Sequence, residues 1–583
     1  MKSAGREIPF IKLLVAVFIS ITPALVRAEA NQPADSQLLQ PQAFDTVGIS
    51  ALRQLEANLT GDGVNTAVVC RSFTYLNGQP QNDYRPLTLH SCFGSAKFTF
   101  YDVNQLDSGF CPHTTAMCSI LFGSDANAFN PALGNFRYEG AVPQARADIY
   151  EFGYFLNHIV FPQAPSDEDI IVVGLGSPAE DWWTRGIESL VEKYGIVVVA
   201  PIGNGSDAFD PPLYPAAGAN VIGVGVVDSV NTNDTAKGLA NFSLPHPQHS
   251  SFGPTAIRHR LTCKPDIVAP GNCLAASMDE PNQYEPTGDW TSFATPVVAG
   301  AASLLIQKAK QEPNLAMALS PDGGNCLIKA ILMNSATKLP FWHKGRLQID
   351  DDHTVPLDYI QGAGQLNAQA AYKQLIAGQY KPGPVPMTGW DIDALNGNNK
   401  ALQIYHINIE DPNSKILAAT VVWNRHYADE YPFENLPEKD ADIKLELWAM
   451  DPQNPGFGYL LDYSDSADDN VEHIYYPTDV RYRHYAIIVS YSSNQPETPE
   501  QNYAVVWSVY EKQNNDNILW YDLNADGIVD NSDLLTLVDN WMGGIISPGS
   551  YLIGDLNTDG VFDVNDFDIL TKQIGRKADW RSE

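Results

Sequence analysis

Thr291-Ser292-Phe293-Ala294-Thr295-Pro296-Val297-Val298-Ala299-Gly300 is the stretch whose reading decides the fold, and Ala301-Ala302-Ser303-Leu304-Leu305 continues it. It sets a hydroxyl and a run of small residues ahead of a proline, at the start of an apolar segment. Proline sits without penalty in the first turn of a helix, where no intrahelical amide donor is lost. That reading puts Pro296 in the first turn and Ser292 at the mouth of a buried helix. Free N–H groups and the positive end of the helix dipole would there favour a developing oxyanion.

Upstream, apolar β-branched runs alternate with helical text. Gly61-Asp62-Gly63 is a turn that enters Val64-Asn65-Thr66-Ala67-Val68-Val69-Cys70. Asp169-Ile170-Ile171-Val172-Val173-Gly174, Ile196-Val197-Val198-Val199-Ala200 and Asn220-Val221-Ile222-Gly223-Val224-Gly225-Val226-Val227 read as buried strands. Ala179 to Tyr194 has helical periodicity and stops at Gly195. Continuous strands of this kind, with helices between them, predict an α/β fold whose parallel sheet is covered on both faces. The helical text closes with Ala330-Ile331-Leu332-Met333-Asn334 and Gly362-Ala363-Gly364-Gln365-Leu366-Asn367-Ala368.

Three more segments carry chemistry. They are Phe110-Cys111-Pro112-His113-Thr114-Thr115-Ala116, Ala200-Pro201-Ile202-Gly203-Asn204 and Cys263-Lys264-Pro265-Asp266-Ile267-Val268-Ala269-Pro270-Gly271. Together with 291–300 they resemble the subtilisin-like serine peptidases (subtilases, the S8 family) over roughly 46–378. The resemblance implies that Ser292 attacks a peptide carbonyl and that His113 takes its proton and returns it to the leaving amine. It implies that the Asn204 amide and the Ser292 N–H hold the oxyanion. Gly174, Leu175 and Gly176 then form the edge along which an extended protein or peptide substrate pairs.

Three positions depart from the family pattern. Cys70 stands where the triad aspartate belongs, Thr114 where a glycine follows the histidine, and Trp290 where a glycine precedes Thr-Ser. Losing the aspartate costs serine peptidases about 10⁴-fold, or roughly 5–6 kcal/mol of barrier. Asp62, Asp102 and Asp107 are substitutes by proximity in sequence alone, and their plainer reading is surface loop carboxylates. Cys70 reads as a disulfide half or a small buried filler ahead of a partner for His113. Two functions remain: a secreted serine endopeptidase with an incomplete triad, and a pseudopeptidase whose groove binds peptide without cutting it. A purely structural surface component would leave Ser292, His113 and Asn204 as coincidences.

Lys381-Pro382-Gly383-Pro384-Val385-Pro386 reads as a linker. From 388 to 511 short alternating strands follow, among them Leu417–Trp423, Ile443–Trp448, Tyr485–Ser490 and Tyr503–Trp507. They predict an antiparallel, jelly-roll-like β-sandwich. Asp440-Ala441-Asp442-Ile443-Lys444-Leu445 and Asp469-Asn470-Val471-Glu472 resemble the sandwich that follows the catalytic domain in many bacterial subtilases, where it packs on and stabilises the peptidase. A carbohydrate-binding sandwich is the alternative, with Trp423, Trp448 and the tyrosines as stacking platforms, although aromatics at alternating positions are more often core.

The region 517–575 contains a repeat: Asp522-Leu523-Asn524-Ala525-Asp526-Gly527-Ile528-Val529-Asp530 recurs as Asp555-Leu556-Asn557-Thr558-Asp559-Gly560-Val561-Phe562-Asp563. Each copy closes three residues on, at Asp533 and Asp566, and an apolar helical run follows. Calcium takes six to eight oxygens, and loop positions 1, 3, 5, 9 and 12 supply carboxylates or amides. Gly527 and Gly560 permit the bend, while Ile528 and Val561 lend carbonyls. The repeat resembles a type I dockerin, a small helical domain. The resemblance implies two Ca²⁺ sites and a cohesin partner.

With 583 residues the chain exceeds one core, and its net charge of −33 argues against nucleic acid or an anionic membrane as partner. Residues 1–28 read as a signal peptide, with Lys2, Arg6 and Lys12 ahead of or inside an apolar run and Val26-Arg27-Ala28 at the cleavage spacing. The expected location is extracellular or at the cell surface, and no later segment is long and apolar enough to span a bilayer. Seven cysteines in an exported chain predict disulfides, with at least one thiol left over.

Overall fold

The computed structural model describes residues 40–576 except 72–74, 77–78, 81–82, 95–96, 103–108, 132–133, 205–212, 228–261, 272, 278–279, 288–289, 340–341, 343, 345–352, 359–360, 398–399, 451–457, 493–498, 512–520, 522–527 and 540–563. The expected signal peptide at 1–28 lies outside the described residues.

The β-branched runs form a seven-stranded sheet. Its strands are β1 (Asn65–Cys70), β2 (Phe98–Tyr101), β3 (Arg146–Glu151), β4 (Ile170–Val173), β5 (Val197–Pro201), β6 (Ile222–Val227) and β7 (Ile267–Pro270), in the order β7-β6-β5-β4-β1-β3-β2. Every pairing in it is parallel. Alternate residues feed two separate apolar clusters. Val68, Val172, Val199 and Val224 join one, with residues of α1 (Pro112–Phe122) and α3 (Thr291–Gln311). Val69, Ile171, Val173, Val198 and Ala200 join the other, with Trp183, Ile187, Leu190 and Val191 of α2 (Trp182–Tyr194). The sheet is therefore covered on both faces, as its unbroken hydrophobicity requires.

Helix α2 starts at a capping box in which Asp181 bonds the Trp182 amide and Thr184 Oγ1 receives the Asp181 amide. It ends at Gly195, whose φ of 66° is left-handed. The helix expected through Gly362–Asn367 does not form there. This segment bridges back to Ile267 and Val268 beside β7, and α5 (Ala368–Ala377) begins only after Asn367 caps it. Gly362 and Gly364 have φ of 59° and 122°, and added Cβ atoms would lie 2.5 Å from backbone atoms of Asp266 and Thr337. Close backbone approach, not helix, explains both glycines.

Two further sheets follow. A five-stranded sheet runs β8-β10-β15-β12-β13, and a four-stranded sheet β9-β16-β11-β14. The strands are β8 (Gly383–Val385), β9 (Thr388–Leu395), β10 (Leu402–Asn408), β11 (Lys415–Trp423), β12 (Ile443–Met450), β13 (Gly458–Ser464), β14 (Val471–Pro477), β15 (His484–Tyr491) and β16 (Gln501–Glu511). Alternate residues from both sheets, such as Tyr405, Leu445 and Ile487 against Leu417, Val421 and Val505, share one cluster, so the sheets pack face to face.

The four-stranded sheet is buried a second time. Val422, Ala504 and Val506 on its other side join the α/β core with residues of α4 (Gly324–Asn334) and α5. The Pro/Gly cluster read as a linker is no free tether, because Gly383–Val385 pairs with Tyr405–Ile407. Trp423 is fully buried, with Nε1 donating to the Ala441 carbonyl at 3.0 Å, and so offers no sugar-stacking face.

All seven cysteines are buried thiols outside any disulfide, which corrects the expectation of disulfides. Six of them (70, 92, 118, 263, 273 and 326) sit in the main apolar cluster, where a thiol serves as a small hydrophobe. At the C-terminus, α6 (Asn531–Asp539) and α7 (Val564–Thr571) contact each other. Among the described residues no helix is long and apolar enough to cross a membrane.

Candidate functional site

Ligand crevices of open α/β sheets lie beyond the carboxyl ends of the strands, and the sequence-predicted residues gather there. Cys70 is the last residue of β1. Asn204 follows β5 by three residues, and Gly174 follows β4 directly. His113 is the second residue of α1, and Ser292 the second of α3.

The first turn of α3 is where they meet. Asn204 Oδ1 lies 2.7 Å from both the Thr291 amide and the Thr291 hydroxyl. That pins the carboxamide oxygen to the residue before Ser292 and leaves Nδ2 as the end able to donate elsewhere. The His113 ring packs against the Phe293 ring, the residue after Ser292, with centroids 5.7 Å apart. Imidazole and carboxamide therefore flank Ser292 from its two sequence neighbours. Thr291 is the residue that sequence reasoning missed. Its chemistry was visible, but nothing local showed that it would bind a side chain 87 positions away.

Helix α3 also departs from expectation in its own backbone. Its N-cap is Trp290, so Pro296 lies past the first turn and is interior. The proline removes the amide that would bond the Ser292 carbonyl four residues back. Trp290 itself is no obstacle. Its φ of −121° and ψ of 133° suit any residue, and its side chain is 48% exposed. The tight approach expected at this position is supplied from the other side by Gly271, where a Cβ would lie 2.6 Å from the Trp290 carbonyl. Thr114 is buried in the first turn of α1, where ordinary helical dihedrals ask for no glycine.

Cys70 Sγ lies 4.0 Å from His113 Nδ1, in the direction an orienting acid would occupy. Burial, and next the neighbouring Cys111, push the Cys70 thiol up to about 12. Burial holds the half-buried His113 ring down at about 4. Both groups are neutral at pH 7, so the pair is a weak thiol–imidazole contact with no charge to stabilise imidazolium. Asp102 is bound by Tyr84 at 2.7 Å and Arg85 at 3.2 Å, Asp62 is exposed, and Asp107 lies outside the described residues.

Gly174, Leu175 and Gly176 extend β4. Gly174 donates to Val69 O at 3.0 Å, and a Cβ on it would come within 3.0 Å of Cys70 Sγ. Among the described residues the backbone of Leu175 and Gly176 takes no backbone partner, which leaves a strand edge open.

Of the twelve calcium-ligand candidates, Ile528, Asp530, Asp533 and Asp566 are described. Asp522, Asn524, Asp526, Asp555, Asn557, Asp559, Val561 and Asp563 lie outside the described residues. Asp533 and Asp566 are wholly buried in the first turns of α6 and α7. Asp533 Oδ2 accepts from the Asp530 amide at 2.7 Å, and Asp530 Oδ1 from the Ser532 amide at 2.7 Å. Hard oxygen donors buried at a helix start fit Ca²⁺. Among the described residues no cluster of three or more metal-ligating side chains forms.

Residues 97–364 match the model of the subtilase family, Peptidase S8, a span that begins after β1 and Cys70. Serine protease AprX of Bacillus subtilis (strain 168) is 32% identical over 225 residues, covering 34% of this chain and 42% of AprX. Subtilisin BL of Lederbergia lenta is 29% identical over 200 residues, covering 34% of this chain and 54% of that enzyme. The chain thus spans less than two thirds of either relative. Among solved structures, the self-cleaved protease domain of PatA covers 55% of this chain and 99% of its own at 22% identity, with a TM-score of 0.35.

Proposed function

We propose that this chain, of which residues 97–364 match the subtilase-family model, is a secreted serine endopeptidase in which Cys70 holds the position of the triad aspartate. One observation carries the reading: His113 and Asn204 engage Phe293 and Thr291, the two residues that bracket Ser292. In this reading His113 Nε2 takes the Ser292 proton as the hydroxyl attacks an extended peptide lying along Gly174–Gly176. The Asn204 Nδ2 and the Ser292 amide receive the oxyanion, and His113 returns the proton to the leaving amine. Cys70 supplies shape at Nδ1 without charge, so turnover falls well below that of a complete triad.

A serine-reactive fluorophosphonate probe and an unfolded protein substrate test this. Labelling and cleavage are expected to be slow and to vanish in Ser292→Ala. The second reading, a pseudopeptidase that holds peptide uncut, is favoured by the neutral Cys70–His113 pair. Absent labelling and cleavage, with retained peptide binding, would establish it.

For the C-terminal repeat we propose two Ca²⁺ sites in a dockerin-like module that docks a cohesin-type protein. The buried Asp533 and Asp566 support this. Calcium is expected to raise the melting temperature of the full chain. A chelator that leaves circular dichroism and melting untouched refutes the site.

A further inference from the structure

Two of the three departures from the family pattern meet at one point. Cys70 ends β1, and Thr114 lies in the first turn of α1 beside His113. Thr114 is wholly buried, and its Oγ1 makes no hydrogen bond. Burial raises the Cys70 and Cys111 thiols, and the Thr114 hydroxyl opposes that rise at both, so it faces the two sulfurs. A buried hydroxyl without a good acceptor is costly, and a neutral thiol is a weak one.

Cys70 Sγ stands 4.0 Å from His113 Nδ1. That gap is close to one S–O bond followed by a bent N–H···O hydrogen bond of about 2.7–3.0 Å. An oxygen carried on Sγ would reach Nδ1, and a second would turn toward Thr114. Gly174 leaves the sulfur uncrowded, since a Cβ there would stand 3.0 Å from it. Oxidation adds such oxygens one at a time. The thiol sulfur attacks one oxygen of hydrogen peroxide, the O–O bond breaks, and the departing hydroxide leaves as water with the thiol proton. Sulfur loses two electrons and the peroxide gains them. A second peroxide converts the sulfenic acid to the sulfinic acid in the same way, and at neutral pH that acid gives its proton to solvent. The product has two oxygens and one negative charge, as an aspartate has.

We propose that peroxide converts Cys70 to its sulfinate, and that this anion, bonded to His113 Nδ1 and the Thr114 hydroxyl, takes the part of a triad aspartate, so that oxidation switches the peptidase on. The inference rests on the peptidase reading above. The anion holds the proton on Nδ1 and leaves Nε2 to act as base. A buried thiol held near 12 reacts slowly, so the switch answers sustained peroxide and not a brief pulse. Thiols do not reduce a sulfinate, so it runs one way.

Full-length protein is held in hydrogen peroxide, freed of it and labelled with the fluorophosphonate probe, while peptide mass reports the state of Cys70. The Cys70 peptide is expected to gain two oxygens and Ser292 labelling to rise about 10²-fold at neutral pH. The pH midpoint of labelling should also rise, because an anion at Nδ1 raises the ring's pKa. Cys70→Ser should show no gain after the same treatment, and Thr114→Val a smaller one. A gain that persists in Cys70→Ser, a Cys70 left unoxidised, or a Cys70–Cys111 disulfide in place of the sulfinate overturns the switch. Folded Cys70→Asp protein separates the remaining cases. If it labels well while the sulfinate form does not, this inference fails alone; if both are inert, the peptidase reading fails with it.

Discussion

Cys70 Sγ, on the last residue of β1, sits 4.0 Å from His113 Nδ1. A fully buried thiol held near 12 cannot supply the negative charge that fixes the histidine tautomer as imidazolium forms. Cys70→Asp is therefore expected to speed fluorophosphonate labelling of Ser292 by about 10³–10⁴-fold at neutral pH. A folded Cys70→Asp protein that labels no faster than the parent would show that the missing acid is not what limits the site.

Asn204 is aimed by Thr291, which holds its Oδ1 twice at 2.7 Å. Asn204→Ala should lower kcat by about 10²–10³-fold and leave KM nearly unchanged, because the oxyanion exists only along the reaction path. A change confined to KM would assign Asn204 to substrate binding.

His426 ties the 423–427 segment to α2, with Nδ1 2.5 Å from Glu192 Oε1 and Nε2 3.0 Å from Gln501. Burial alone would lower its pKa, but the Glu192 hydrogen bond and charge outweigh that and raise it above the ordinary 6.5. A raised folded-state value means the contribution is whole below 6.5 and is lost as pH climbs through the raised value. His426→Gln should cost about 1 kcal/mol near pH 6 and progressively less in alkali, read from urea midpoints. A gap between the two proteins that widens with pH would refute the pair.

Trp390 of β9 is fully buried, packs in the α/β cluster and donates Nε1 to Leu375 O of α5 at 2.9 Å. Trp390→Ala should cost about 3–5 kcal/mol. Because the four-stranded sheet serves both cores, residues 46–511 should lose structure in one transition. Two separate transitions by tryptophan fluorescence and far-ultraviolet dichroism would mean that the sheet pairs are an independent domain.

The sequence by itself determined the alternation of buried strands and helices, and with it the parallel sheet. It also determined the order His113, Asn204, Ser292 and the vacancy of the acid position at Cys70. These are local properties, because side-chain periodicity and motif chemistry are written within a few residues. Only the tertiary structure decided that Trp290 is harmless, because Gly271 yields the space, and that Pro296 is interior, because the helix begins one turn earlier than its proline suggests. It decided that the thiols stay single and that Gly362–Asn367 is a bridge and no helix. It also joined Thr291 to Asn204 across the fold. Such outcomes depend on distances between segments far apart in the chain. Close packing sets those distances, and no stretch of residues encodes them alone.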